Sequence, residues 1–373
     1  MNPSITDKNQ VSKKKRAVVA MSGGVDSSVA AALMVEQGYD VIGLMMRLWS
    51  EDGKEMDNRC CTPEQMDDAR QIAGNLGIPF HVVDVKDYFK NTIVDFYLKE
   101  HSRGRTPNPC IECNREIRFN WLYERAMSLN ADFLVTGHYA QVKTAADNAV
   151  DQYQLHTGID NHKDQSYVLH MLDQEHLAHV QFPVGGYTKP EVRELARKFN
   201  LPVASKGDSM DLCFLSGEDY RGFLARHVPE INRPGPIYAS DGEQLGEHIG
   251  LPNYTIGQRK GLGVTSPKPL FVLRKDATDN ALILGTRADV VADELMIRNV
   301  SWVAGSPPDA AGIPAEVKIR YKARPVPATI FPKSNNTAHI VFHDPVFGAT
   351  PGQGAVFYQD TNCLGGGLIS DFN

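Results

Sequence analysis

Two short stretches of the chain carry side chains suited to phosphate or covalent chemistry. The first, Met21-Ser22-Gly23-Gly24-Val25-Asp26-Ser27-Ser28, follows an apolar run ending at Ala20 and precedes a helical pattern closed by Gly38. Adjacent glycines let successive backbone N–H groups turn toward one anion, and the helix behind adds its positive end. Ser22, Ser27 and Ser28 offer hydroxyl donors to the same phosphate, but no Gly-Lys-Ser/Thr follows the glycines, so the loop is not of the Walker type. Asp26 fits a pyrophosphate-side or Mg²⁺-linked role, and equally a helix cap. The second stretch, Gly104 to Asn114, sets Cys110 and Cys113 on a proline-stiffened loop just ahead of a helix. A thiol there ionises more readily, because the helix N-terminus and nearby Arg115 and Arg118 favour the thiolate. Cys213 lies far off, in the non-periodic Asp211-Leu212-Cys213-Phe214. A single C-x-x-C also reads as half a zinc site or a redox pair, and the chain has no second one. Cys60 and Cys61 are adjacent, poor geometry for one metal, and Cys363 falls in a strand pattern, so all three are expected to be structural.

The elements that must hold these groups follow from periodicity. From Arg16 to about Thr136, short β-branched runs (Ala17–Ala20, Val41–Met46, His81–Val85, Phe133–Thr136) alternate with helical periods, the pattern of a parallel sheet wrapped by helices. Thr62, Pro63 and Gln65 form a capping box and Gly77 a helix stop. Another helix is expected from about Asn114, with Ile117, Trp121, Leu122, Ala126 and Leu129 on one apolar stripe. Ligands of such sheets bind beyond the carboxyl ends of the strands, where Met46 and Gly137 fall. After about Ser216 a Pro/Gly-punctuated region suggests a small linking module. From about Met296, alternating stretches (Ala315–Tyr321, Thr337–Phe342, Gly354–Tyr358) suggest a small antiparallel barrel. The expected domains are thus 1–216, 217–292 and 293–373.

Composition sets the class. The 373 residues are 42% hydrophobic and 23% charged, ordinary globular values that argue against disorder, a fibre or a membrane protein. The leader to Arg16 has no apolar segment of the kind a secretion signal needs, so a cytoplasmic location is expected. Six cysteines are too few for a disulfide scaffold in a chain this long. A net charge of −6 means that any RNA site must be a local basic patch, for which Arg103, Arg105, Arg115, Arg118 and Arg125 are candidates, a solvated helix face being the alternative.

The string SGGVDSS at Ser22–Ser28 resembles the PP-loop of the ATP pyrophosphatase families. Thr106-Pro107-Asn108-Pro109 running to Cys113-Asn114, TGHY at Thr136–Tyr139, KDQSY at Lys163–Tyr167, DLCF at Asp211–Phe214, IGQRKGLG at Ile256–Gly263, PGQGAVFY at Pro351–Tyr358 and LGGG at Leu364–Gly367 together resemble the tRNA-specific 2-thiouridylases over almost the whole chain. The resemblance implies an α/β PP-loop domain, a central adaptor and a C-terminal β-barrel. It also implies ATP-dependent conversion of the wobble uridine of tRNA to 2-thiouridine. Carried over, Ala20 to Ser28, Met46 and Gly137 contact ATP, with Mg²⁺. Cys113 is the nucleophile and Cys213 carries persulfide sulfur from a donor such as a cysteine desulfurase relay, the pair passing through a transient disulfide. Asn108, Pro109 and Cys110 face the target base, and Lys163, Asp164, Gln165, Arg320 and Tyr321 meet the tRNA anticodon stem-loop.

One position departs from the pattern: many members have Asp, a proposed general base, where this chain has Cys110. Two chemistries stay open there. A Cys110 thiolate can accept the proton, or Cys110, Cys113 and Cys213 can ligate three irons of a [4Fe-4S] cluster whose fourth iron carries sulfur. Other function classes also fit parts of the chain: a PP-loop ligase adenylating a small substrate, or a non-enzymatic sulfur carrier or tRNA-binding protein.

Overall fold

The structure is a computed structural model and describes residues 14–54, 62–145, 152–207, 212–215, 217–308 and 311–371. Cys60, Cys61 and Asp211 lie outside the described residues.

The chain begins with β1 (Arg16–Ala20), α1 (Val25–Glu36), β2 (Asp40–Arg47), α2 (Pro63–Leu76), β3 (Phe80–Asp84), α3 (Lys86–Phe89), α4 (Asp95–Ser102), α5 (Pro109–Glu112), α6 (Tyr123–Ser128) and β4 (Phe133–Val135). A hairpin of β5 (Ala140–Thr144) and β6 (Tyr153–Thr157) follows, then α7 (Gln174–His179), β7 (Val180–Gln181) and α8 (Lys189–Lys198). Five parallel strands lie in the order β3-β2-β1-β4-β7. Helices cover both faces. In β1, Ala17 and Val19 pack into one core and Val18 into the other, which is why the strand reads as a continuous apolar run. Strand order reverses at β1, with β2 on one side and β4 on the other. The loops after β1 and β4 therefore flank the topological switch point, the usual ligand crevice of such sheets.

Local signals behave as their chemistry requires. Thr62 accepts from the Gln65 N–H while the Gln65 side chain accepts from the Thr62 N–H, and Gly77 closes α2 in the left-handed region at φ 67°. Between α5 and α6 the helix continues through a π-helical stretch, Cys113–Leu122. The wider turn spaces the buried positions Cys113, Ile117, Leu122 and Ala126 by four, five and four residues, so Cys113 joins the inward face.

The middle of the chain holds α9 (Tyr220–His227) and a four-stranded sheet of β8 (Gly235–Ala239), β9 (Gln244–His248), β10 (Phe271–Asp276) and β11 (Ala281–Gly285), in the order β10-β11-β8-β9 around Ile237, Val272, Leu282 and Leu284. The barrel comprises β12 (Val291–Trp302), β13 (Ile313–Lys318), β14 (Val326–Lys333), β15 (Thr337–Phe347), β16 (Gly354–Gln359) and β17 (Asn362–Ile369). It runs antiparallel as β12-β15-β14-β13-β16-β17, and β17 pairs back to β12, closing the sheet. Closure leaves no free edge among these six strands. Two features differ from the sequence reading. The stretch expected as a strand to Tyr321 leaves the sheet after Lys318, because Arg320 turns to donate to the Phe347 carbonyl at 3.0 Å. The β5–β6 hairpin, from the first domain in sequence, adds to the barrel sheet through β6–β17 pairing, Cys363 opposite Leu155.

The barrel also locks onto the α/β domain through one buried carboxylate. Glu100, 5% exposed at its side chain, accepts from Arg103 at 3.1 Å, from Arg105 at 3.0 Å and from Arg298 of β12 at 3.4 Å. Arg105 reaches on to Asp371 at the end of the barrel. Removing the charge leaves three guanidinium groups facing one another. Glu100→Gln is expected to lower stability by about 2 kcal/mol, discounted from a fully buried pair because Arg103 and Arg298 are partly solvated. A urea titration checks this by a fall in midpoint; an unchanged midpoint contradicts it.

Candidate active site

The glycine loop after β1 forms an anion cradle at the switch point. Gly23 adopts φ 68°, and a Cβ there would stand 2.4 Å from the Gln65 carbonyl oxygen, so only glycine lets α2 approach this closely. Gly24 caps α1 from an extended conformation, leaving the first-turn N–H groups directed into the crevice. Ser22 is exposed, and its hydroxyl lies 3.2 Å from the Ser27 hydroxyl. Ser28 is fully buried, donating to the Gly24 carbonyl at 2.7 Å, so it shapes the loop rather than pointing into it. Met21 and Val25 are core residues, and Ala20 is half-buried at the strand end. Gly137, after β4, presses on the cradle: a Cβ there would lie 2.7 Å from the Ser27 nitrogen and 2.8 Å from the Asp26 carbonyl carbon.

Asp26 is held by two groups that motif reading left without a role. The Tyr139 hydroxyl donates to its Oδ1 at 2.8 Å, and Lys189, which opens α8, reaches both oxygens at 2.7 and 2.9 Å. Lys206 joins the Gly23 carbonyl, at 3.3 Å, to Asp68 of α2 at 2.7 Å. Two ammonium groups therefore rim an anion cradle. No spacing rule would have found them, since Lys189 and Lys206 lie more than 160 residues from the loop they touch.

Cys113 and Cys213 belong to one packed cluster. Cys113 is 7% exposed within a core that includes Leu48, Ile117, Phe214 and Leu215, and Cys213 and Met46 pack against the same core. Met46 lies at the carboxyl end of β2, next to β1, and Leu48 follows the strand directly, so this cluster packs at the same edge of the sheet as the glycine loop. Arg118 sets its guanidinium 3.6 Å from the Cys113 sulfur, bringing positive charge to the thiol. Cys110 is exposed, and Asn108 caps its helix by accepting from the Cys110 N–H at 3.1 Å, while Pro109 is buried in the first turn. Cys363, by contrast, is fully buried in β17, where burial pushes its thiol up to about 12 and keeps it protonated. Among the described residues no three His, Cys, Asp or Glu side chains converge closely enough to hold a metal ion, so Cys110, Cys113 and Cys213 do not form a joint ligand face in this arrangement.

The residues assigned to tRNA divide into two kinds. Asp164 is 7% exposed and turned inward, accepting from the Gly158 and Ser166 N–H groups, from the Ser166 hydroxyl at 3.0 Å and from Lys318 of the barrel at 3.4 Å. Gln165 binds both backbone groups of Tyr139, at 2.8 and 3.0 Å, tying this loop to the one after β4. Arg320 and Tyr321 are exposed, and Lys163 is half-buried. The Tyr321 ring stands edge-on to Tyr167 at 6.0 Å. Burial first, then the proximity of Asp164 and Cys110, pushes its phenol up, so this residue sits beside the Cys110 loop. His138 is buried, 2.7 Å from the Thr136 hydroxyl, and burial pushes it down to about 3, leaving it neutral.

An α/β domain with a glycine loop at its switch point, two cysteines packed in one core beside the same sheet, and a closed barrel define a three-part PP-loop protein. Family descriptions match in three consecutive parts: tRNA methyl transferase HUP domain over 15–217, its PRC-barrel domain over 221–286, and an aminomethyltransferase beta-barrel domain over 292–369. The chain is 46% identical to the tRNA-specific 2-thiouridylase MnmA of Herpetosiphon aurantiacus, covering 95% of this chain and 98% of that one. It is 44% identical to the protein of that name from Heliobacterium modesticaldum, covering 95% and 92%. The chain belongs to the tRNA-specific 2-thiouridylase family. A 4-thiouridine synthetase–RNA complex with bound ATP is among the solved structures it resembles, at 17% identity and TM-score 0.35, covering 58% of this chain and 51% of that one, too loose a match to bear on chemistry.

Proposed function

We propose that the protein uses ATP to replace O2 of the wobble uridine of tRNA with sulfur. The observation that carries this reading is the packing of a glycine loop and a two-thiol cluster at one edge of one sheet, in a chain whose full-length relatives are tRNA-specific 2-thiouridylases. A uracil C2 oxygen is a poor leaving group until esterified to phosphate. The cradle from Gly23 to Ser27, with Lys189 and Lys206 at its rim, holds the β- and γ-phosphates while O2 attacks the α-phosphate and pyrophosphate departs. Magnesium accompanying ATP would meet Asp26, since one carboxylate with phosphate oxygens and water is its usual donor set. The terminal sulfur of a Cys213 persulfide then adds at C2 and AMP leaves with the former O2. Cys113 attacks the inner sulfur of the resulting mixed disulfide, releasing 2-thiouridine and leaving a Cys113–Cys213 disulfide that an external thiol reduces.

The base must leave the anticodon stack to reach both groups, which suits a splayed loop bound against Lys163, Arg320, Tyr321 and the Asn108–Cys110 segment. A persulfide donor such as a cysteine desulfurase relay belongs to the same reading, as does the cytoplasm. No helix among the described residues is long and apolar enough to cross a membrane. Among the described residues Cys110, Cys113 and Cys213 do not gather into a metal-ligating group, which favours the persulfide chemistry over a [4Fe-4S] cluster. A methyl transfer, as the family descriptions word it, would leave the thiol pair and the cradle without work.

The test is direct. With ATP, undermodified tRNA and a persulfide donor, one AMP and one pyrophosphate are expected per 2-thiouridine, read by nucleoside mass spectrometry. Formation of ADP and phosphate instead, or AMP without thiolation, refutes the reading.

A further inference from the structure

The loop that carries the site is gripped by all three parts of the protein at a single residue. Every polar group of Thr106 is engaged from outside the α/β domain. Its N–H donates to the Pro351 carbonyl at 3.1 Å and its carbonyl accepts from Gln353 at 2.7 Å, both in the barrel. Its hydroxyl accepts from Lys275 of β10, in the central module, at 3.3 Å. Two residues on, Asn108 caps the helix bearing Cys110 and Cys113, and the intervening Pro107 is buried and fixes φ.

Lys275 is an unusual residue to find there. It is 9% exposed in a β-strand, and Thr106 is its one hydrogen-bond partner among the described residues. Burying an ammonium against a single neutral acceptor is unfavourable, and burial pushes it down to about 8. His101 of α4 is buried in the same interface, pushed down to about 3 by burial and by the Lys275 charge, with Nδ1 unpartnered among the described residues. The approach is close in the backbone as well: a Cβ on Gly104, at φ 74°, would lie 3.0 Å from the Lys275 carbonyl oxygen. A methionine would fill this position without the desolvation cost; what the ammonium adds is its hydrogen bond to Thr106.

We propose that Lys275 is a positioning residue for sulfur transfer: from the central module it fixes Thr106, and through the Pro107–Asn108 turn it sets the helix start that presents Cys110 and Cys113. This rests on the reading of the active site given above, but its physical content, the immobilisation of the thiol loop, does not require it. The central module thereby becomes part of the catalytic geometry and not a spacer.

The test uses Lys275→Met, Thr106→Val, the double variant and Thr106→Ser in the full chain. Expected are a fall in kcat for thiolation by a factor of about ten or more in each single variant, an unchanged KM for ATP, and a double variant no worse than either single, because both remove one link. Thr106→Ser keeps the hydroxyl and should restore turnover. Iodoacetamide labelling followed by mass spectrometry supplies a readout independent of activity. Cys113 should label faster in the single variants, while Cys363, deep in the barrel, should not, which separates loop release from global unfolding. Unchanged Cys113 labelling with unchanged kcat overturns the proposal, and so do multiplicative losses in the double variant or a raised Cys363 rate matching that of Cys113. If the wild-type protein fails to thiolate tRNA, the functional reading falls, and the labelling result still judges the latch.

Discussion

Cys113→Ser is expected to abolish thiolation of tRNA, with turnover reduced by a factor of about 10⁴ or more and ATP binding unchanged. The sulfur lies in the cluster that also packs Cys213 and Met46, with the Arg118 guanidinium 3.6 Å away. Serine preserves that packing closely but supplies neither a nucleophile of thiolate strength nor a partner for thiol–disulfide exchange. Cys213→Ser should fail just as fully and for a different reason, since no persulfide can form on an alcohol. The two are separable. Loaded with persulfide donor, the Cys113→Ser protein should retain labelled sulfur on Cys213, whereas Cys213→Ser should retain none at that position. ATP affinity measured by calorimetry should stay within a factor of about two, because neither side chain belongs to the cradle. Thiolation surviving in either variant removes that cysteine from the scheme.

Gly137→Ala should disable ATP activation while leaving the thiols intact. The added methyl would lie 2.7 Å from the Ser27 nitrogen and 2.8 Å from the Asp26 carbonyl carbon, both backbone atoms of the first turn of α1. Backbone cannot swing aside as a flexible side chain would, so the helix start must move by several tenths of an ångström. That start supplies the cradle's N–H donors, and displaced donors lose most of their effect on a developing charge. A fall of about 100-fold in tRNA-dependent AMP formation is expected, with overpacking costing about 1–3 kcal/mol of stability. Gly74→Ala in α2 is the matched control, since nothing lies within 4 Å of its added Cβ; it should be neutral or slightly stabilising. Equal AMP formation by the Gly137→Ala protein and the wild type would remove the cradle as the site of ATP activation.

Much of this was legible in the residue order. The glycine loop and the start of α1 form a contiguous unit held by local bonds, Ser27 and Ser28 donating to the Gly24 carbonyl, and the α2 capping box is written within four residues. The barrel strands announced themselves by alternation. Other features were not legible, each for a physical reason. The helix after Cys113 carries the expected apolar stripe, but its π-helical turn, which puts Cys113 on the inward face, has no signature in a 3.6-residue period. Asp164 and Gln165 matched a motif read as tRNA-facing, and the fold spends both on tying the loop after β4 to its neighbours.

By itself, then, the sequence determined which groups are candidates for chemistry, that a parallel sheet would present the glycine loop, and to which family the chain is related. Only the tertiary structure decided what surrounds those groups: Lys189 on Asp26, Lys206 on the cradle, Cys213 in the core of Cys113, and Lys275 on Thr106. The division follows from range. Backbone hydrogen bonds and helix caps are settled among near neighbours, whereas partners separated by a hundred residues or more meet only when separate layers close on shared apolar cores, and no spacing along the chain encodes that meeting.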